Sequence, residues 1–313
     1  MRALLLGCIA LVFVGCKRDT EPPASVPTRP PPLTACPHFA PGKVTGRVGV
    51  SALVEASGIV QSRQNVGVLW LHNDSGNPAV LFALRESGEP LAAFRLSGAS
   101  CADWEDLAIG QETAGGPWYL YVADTGTNTW PRKRTVIYRV EEPRLTGKES
   151  PKETTLAGAT AFGLRYSDDA VHDAETLMFD PVSRSLYIVT KTTTGKSGVY
   201  RLALPLSTAH DNIAQLVGDI DTPSNGERGS ERATGGDISS DGGLVVVKTY
   251  TRVYLWPRTK GVTVEQALST EPCPGAVAKE EQGEAVGFAA DGSGYFTASE
   301  GKHQPLYFFA KQP

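Results

Sequence analysis

Five acidic residues recur along the chain in one local setting: Glu55, Glu105, Glu175, Asp237 and Glu284, each among small or Gly-rich neighbours and each opening an apolar run. Successive numbers differ by 50, 70, 62 and 47. Carboxylates gathered on one surface are hard oxygen donors, and with an Asn amide such as Asn73 they suit calcium. Gathered without a cation they repel: two charges ~8 Å apart at an effective dielectric of ~20 cost roughly 2 kcal/mol. A bound cation, a neighbouring Lys191 or Lys248, or protonation would relieve this. Three readings follow: a calcium site on Glu55, Glu105, Glu175, Asp237, Glu284 and Asn73, a structural girdle in which each acid caps backbone N–H groups, or an anion or sugar site using the lysines. No Cys or His cluster has zinc spacing. G-x-S-x-G, P-loop and H-E-x-x-H patterns are absent.

The elements that must gather these acids repeat with them. Each unit reads as an acid-led apolar strand and then a second strand ending in polar residues: EASGIV and VLWLHNDSG, DWEDLAI and WYLYVADTGTN, DAETLMFD and SLYIVTKTTTG, GGDISSDG and LVVVKTYTR, QGEAVGFAADG and GYFTASEGK. A third strand follows, as in VLFALRESG or VIYRVEEP, and then a variable fourth, such as AAFRLSG, AFGLRYSD or IAQLVGDID. Four antiparallel strands repeated around an axis make an all-β β-propeller. Five blades are counted. A sixth, degenerate blade between Glu141 and Val171 is one alternative, and a β-sandwich is another. The fifth unit stops short of a fourth strand, and Lys43 to Val50 is expected to supply it, pairing near Leu306 to Ala310 and closing the ring without a free edge.

In a propeller the first strand of each blade starts at one mouth of the central channel, and the second strand ends there. That predicts a mouth holding the five acids, ringed by His72, Asn73, Asp74, Asp124, Asn128, Lys191, Lys248 and Glu300, with Asp106 and Asp173 beside them. Lys191, Lys248, Asp124 and Asn128 are the candidates for a ligand or anion. His72 and Glu105 are the candidates for a catalytic base. HNDSGN and DTGTN also read as turns.

Residues 1–15 carry Arg2 and then an apolar stretch too short to span a bilayer, which reads as an export signal. FVGC ends it like a lipobox, making Cys16 the lipidated, palmitate-bearing residue, although Phe13 stands where Leu is usual. Residues 16–42 are polar and Pro-rich, a tether that cannot bury enough apolar surface to fold. The propeller domain is expected over 43–313. Lys17 after Cys16 favours the outer membrane of the cell envelope. With Cys16 lipidated, Cys36, Cys101 and Cys273 allow one disulfide and one odd thiol, in a pairing the sequence leaves open. A net charge of -4 and a pI near 5.8 exclude a basic nucleic-acid surface. A monomer is expected.

At EASGI, HNDSG, DWEDLA, DAETL, GGDISSDG and QGEAVGF the chain resembles secreted or lipid-anchored bacterial propeller proteins that carry no established activity. More distantly it is similar to the calcium-dependent gluconolactonase, paraoxonase and phytase-like esterase propellers. That resemblance implies a calcium ion held at one channel mouth, with Glu55, Glu105, Glu175 and Asn73 in comparable places, polarising a lactone or phosphoester. Two function classes therefore stand: a calcium-dependent ester, lactone or phosphoester hydrolase, and a non-catalytic module binding a glycan, peptide or partner protein.

Overall fold

The computed structural model describes residues 35–127 and 130–313. The expected signal and Cys16 lie outside the described residues, as does Asn128. Strand β1 (Lys43–Arg47) comes first. The next sheet runs β2 (Ala56–Gln61), β3 (Val68–Asn73), β4 (Val80–Arg85) and β5 (Pro90–Leu96). Then come β6 (Trp104–Gly110), β7 (Tyr119–Asp124), β8 (Thr135–Glu141), β9 (Glu153–Leu156) and β10 (Thr160–Tyr166). They are followed by β11 (Ala174–Asp180), β12 (Ser185–Thr190), β13 (Lys196–Ala203) and β14 (Asn212–Asp221). The fourth group is β15 (Ala233–Ile238), β16 (Leu244–Thr249), β17 (Val253–Pro257), the short helix α1 (Val264–Leu268) and β18 (Cys273–Pro274). The last is β19 (Gly283–Phe288), β20 (Gly294–Ser299) and β21 (Pro305–Ala310).

Consecutive strands pair antiparallel from β2 to β5, β6 to β8, β11 to β14, β15 to β18 and β19 to β21. The stretch between Glu141 and Val171 holds two strands, one in each of two sheets. Strand β9 adds to the first sheet, parallel to β5, and β10 completes the second sheet against β8. Strand β10 also meets β14 in parallel over Leu164 to Tyr166, joining two sheets at their rims.

Strands β2, β6, β11, β15 and β19 are buried at every residue. Their sheets are stacked on both faces, so burial does not alternate along these strands, and the acids that they carry are buried too. Rim strand β14, by contrast, is mostly exposed or half-buried. Each apolar cluster lies between two successive sheets. Trp70 and Leu81 pack against Leu107 and Leu120, and Tyr121 and Ala108 against Leu177 and Ile188. Met178 and Tyr187 meet Val245 and Trp256, and Val246 and Leu255 meet Val286 and Phe288. The circle closes where Ala285 and Phe296 meet Ile59 and Leu71. A sandwich has two facing sheets and no such circuit. The molecule is an all-β propeller.

Closure is by the expected element. Strand β1 pairs antiparallel with β21, Lys43 opposite Phe308 and Arg47 opposite Pro305. Residues ahead of β1 are tied down as well: Cys36 forms a disulfide with Cys273, Phe39 bridges Lys311, and the Ala40 amide donates to the Ala310 carbonyl. Cys101 is the free thiol among the described residues, and burial pushes its pKa up to about 12.

Candidate metal centre

Every first strand of a sheet carries one register fault against its second strand. The faults fall between Ala56 and Ile59, Trp104 and Asp106, Ala174 and Thr176, Ala233 and Gly235, and Gly283 and Ala285. A bulge turns the extra residue out of the ladder and re-aims its side chain. The residues so placed are Ser57, Glu105, Glu175, Thr234 and Glu284. This changes the list of equivalent acids. Glu105, Glu175 and Glu284 are structural equivalents, but Glu55 and Asp237 are not: hydroxyls stand at the matching places in their sheets. Those hydroxyls stitch neighbouring blades, with Ser57 Oγ donating to the Glu105 carbonyl and Thr234 Oγ1 to the Glu284 carbonyl at 3.2 Å.

Second strands supply the outer tier. Asn73, Asp124, Thr190, Thr249 and Ser299 sit opposite the residue before each bulge, so the next residues, Asp74, Thr125, Lys191, Tyr250 and Glu300, reach the mouth together. The result is a chain of carboxylates in three overlapping groups: Asp74 with Glu284 and Glu300, Asp74 with Asp103 and Glu105, and Glu105 with Asp173 and Glu175. Within each group one oxygen per residue lies within 4.8 Å of the others. Oxygens at 2.3–2.6 Å from one cation stand up to roughly 5 Å apart, so each group could hold a metal ion.

Electrostatics give the same picture. Burial first, and then Glu175, Asp74, Asp103 and Asp173, hold the Glu105 carboxyl well above the usual carboxylate range. Asp74 is pushed to about 7 by burial, with Glu284, Asp103 and Glu55 adding to it against a Ser75 hydrogen bond. Glu284 is pushed to about 8 by burial and Glu300, with Lys191 opposing. Lys191 contacts Glu175, and its ammonium donates to Tyr250 Oη at 2.8 Å; burial works against its charge, but Glu175 and Tyr250 outweigh it and raise its pKa. Glu105 Oε1 is buried, and among the described residues nothing donates a hydrogen bond to it. It lies where a side chain on Gly126 would be, 1.8 Å from the position of a Cβ there. A buried carboxylate oxygen without a donor, set among further carboxylates, is a place that a cation or a proton could fill.

Several other expected ligands are occupied elsewhere. Asn73 Oδ1 accepts from the Val54 and Glu55 amides at 2.9 Å, and its Nδ2 donates to the Ala52 carbonyl, so this amide holds the loop ahead of β2. Asp124 accepts from the Ala102 and Asp103 amides and from Arg132 Nη2 at 2.8 Å. Glu55 is half-buried at the rim, taking a hydrogen bond from Asn77. Asp237 lies three residues past its bulge, accepting from the Ile238 and Phe288 amides at 2.8 Å. That is the capping role of the girdle reading, and Asp106 shares it, accepting from Leu107, Leu177 and Gly236 across three sheets. Lys248 is fully buried in an ion pair with Glu280 at 2.9 Å.

His72 sits beneath the mouth, edge-on to Trp104, with Nδ1 at 2.9 Å from the Asn73 carbonyl and Nε2 buried without a partner. Burial lowers its pKa to about 4, which makes it a weak base. Asp103 was missed by the reading of the acids. The pattern D-x-E, at Asp103 and Glu105 and again at Asp173 and Glu175, would have revealed it.

No family model matches the chain, and no curated protein matches it. Solved structures do resemble it. A gluconolactonase from Xanthomonas campestris aligns at 13% identity and a TM-score of 0.45, over 90% of this chain and 99% of that one. The Cps50 β-propeller domain from Myceliophteria thermophila aligns at 10% identity and a TM-score of 0.43, over 85% and 99%. At these scores neither likeness carries an argument about chemistry. The fold stands on its own strand pairing.

Proposed function

We propose that the protein is a cell-envelope lipoprotein, anchored by lipid on Cys16, whose propeller mouth binds calcium and hydrolyses a small ester, lactone or phosphoester there. One observation carries the cation site: Glu105, which belongs to two groups of carboxylates, has a buried Oε1 with no hydrogen-bond partner among the described residues. Asp74, Asp103, Glu105, Asp173, Glu175, Glu284 and Glu300 are the residues that would hold it. A bound cation supplies Lewis acidity toward a carbonyl or phosphoryl oxygen. Without the cation Glu105 and Glu284 hold a proton, both being raised in pKa; with it they would be ionised and serve as ligands. Lys191, steadied by Tyr250, offers the one ammonium among the described carboxylate neighbours and favours an anionic or oxygen-rich ligand. His72, buried with a pKa near 4, is not assigned as base.

The test combines metal analysis with a substrate panel. Purified protein is expected to retain calcium, to lose it to chelator, and to hydrolyse at least one lactone, aryl ester or phosphoester only when calcium is restored. Calcium retention without turnover on any panel member would favour the non-catalytic binding module. No calcium uptake would remove the metal centre altogether.

A further inference from the structure

The first strands of the sheets begin at the acidic mouth, so their far ends mark the opposite mouth of the channel, about 20 Å away at ~3.3 Å per residue. There Arg63, just after β2, and Arg184, in the turn between β11 and β12, line a small pocket with Ile109, Trp118, Phe179 and Ile238. Its volume is about 70 Å³. Arg63 Nη1 is buried and has no hydrogen-bond partner. Among the described residues neither Arg63 nor Arg184 is held in a side-chain ion pair. The nearby acids are committed: Asp237 to the Ile238 and Phe288 amides, and Glu142 to Ser62 and to Trp70 Nε1 at 2.9 Å. Asp237 and Glu142 favour the Arg63 charge from a distance, while burial disfavours it more. A guanidinium cannot escape that cost by losing its proton, and its planar fork of donors matches an oxyanion. Beside the two arginines the lining has an apolar wall and two uncharged polar residues, Gln111 and Ser240, which leaves room for a short hydrocarbon group and puts no acid in the lining.

We infer that the end of the channel opposite the acidic mouth is a second binding site, taking a small carboxylate with a short apolar tail between Arg63 and Arg184. The carboxylate satisfies Arg63 Nη1 and bridges to Arg184, and the tail lies against Trp118, Phe179, Ile109 and Ile238. This site is independent of the calcium reading, since no residue is shared with the carboxylate groups at the mouth.

Propionate tests it, with propionamide as the neutral isostere and inorganic phosphate as the tail-less anion. In chelator, titration calorimetry or NMR of the full protein is expected to show saturable propionate binding with a Kd on the order of 1 mM. Propionamide should bind at least tenfold more weakly. Arg184→Gln should weaken propionate binding at least tenfold while leaving the melting curve unchanged, and Arg63→Gln should do the same if it folds. Glu105→Gln should leave propionate binding intact. The inference is overturned if propionate fails to bind, if propionamide binds as well as propionate, if Arg184→Gln binds as tightly as wild type, or if phosphate outcompetes propionate.

Discussion

Glu105 is the residue on which the mouth turns. At an effective dielectric of ~20, two charges ~5 Å apart repel by roughly 3 kcal/mol, and Glu105 faces four other acids. Glu105→Gln is therefore expected to raise the melting temperature of the calcium-free protein by a few degrees and to abolish the further rise that calcium gives wild type. For wild type that rise reflects about 2.7 kcal/mol at a calcium concentration ~100 times Kd. Magnesium should give less, because it holds its waters and demands a tighter octahedron. Scanning calorimetry with chelator, calcium and magnesium checks both. Gly126 offers an independent probe that removes no carboxylate. Gly126→Ala places a methyl 1.8 Å from Glu105 Oε1, so it should displace that oxygen and blunt the calcium response. A full calcium response in Gly126→Ala would show that Glu105 Oε1 is not a ligand.

Among the elements, the repeated bulge of the inner strands sorts the acids into two roles. Residues in the bulge are turned out of the ladder toward the mouth, whereas Asp106 and Asp237, past it, are turned inward onto backbone amides of neighbouring sheets. Asp237 is pushed to about 6 by burial, with Arg63 and two amide hydrogen bonds opposing. A carboxyl raised in the folded state stabilises fully below its unfolded pKa, near 4, and loses that contribution as pH rises through about 6. A shift of about two units is worth on the order of 3 kcal/mol. Chemical denaturation from pH 4 to pH 8 should show wild-type stability falling through this window, and Asp237→Asn should fall by less over the same range. Parallel pH profiles would mean that Asp237 does not titrate there. Packing at the bulge is tight as well: a Cβ on Gly58 would lie 2.4 Å from His72 Nε2 and 2.7 Å from the Leu107 amide nitrogen. Gly58→Ala should therefore destabilise by about 1–3 kcal/mol, the usual range for overpacking.

For the whole molecule, stability depends on fastening the two ends of the ring. Strand β1 covers the edge of β21, and Cys36–Cys273 ties the preceding segment to the fourth sheet across 237 residues of sequence. Removing this disulfide in a Cys36→Ser, Cys273→Ser variant should cost about 2–4 kcal/mol, read as a lower denaturant midpoint. Deleting residues 17–34 should leave the midpoint unchanged, whereas deletion through residue 47 should expose the β21 edge and give aggregation. Equal midpoints for the two deletions would refute closure by β1. The anchor is tested at this scale too. Cys16→Ser should release the protein from membranes or leave the signal uncleaved, and a processed, membrane-bound mutant would show that Cys16 is not lipidated.

The repeat was legible in the sequence because an acid among small residues recurs near the start of each first strand, and because its spacing matches one four-stranded sheet. The role of residues 43–50 followed from the missing fourth strand of the last unit. Glu105, Glu175 and Glu284 were among the five acids picked out for the same reason. Glu55 and Asp237 look alike in sequence, but Glu55 lies just ahead of β2, two residues before the bulged Ser57, and Asp237 lies three residues past the bulged Thr234, so neither is the residue that the bulge re-aims. Strand pairing alone therefore decided that Ser57 and Thr234 occupy their places. Asn73 and Asp124 carry the right donor atoms for a cation, yet which backbone amides they meet depends on loops folded back from elsewhere. The Cys36–Cys273 pairing and the Arg63–Arg184 pocket join residues more than 100 positions apart, which local pattern cannot encode. Composition and period determined the architecture; the direction of each polar side chain was set only when the sheets closed into a ring.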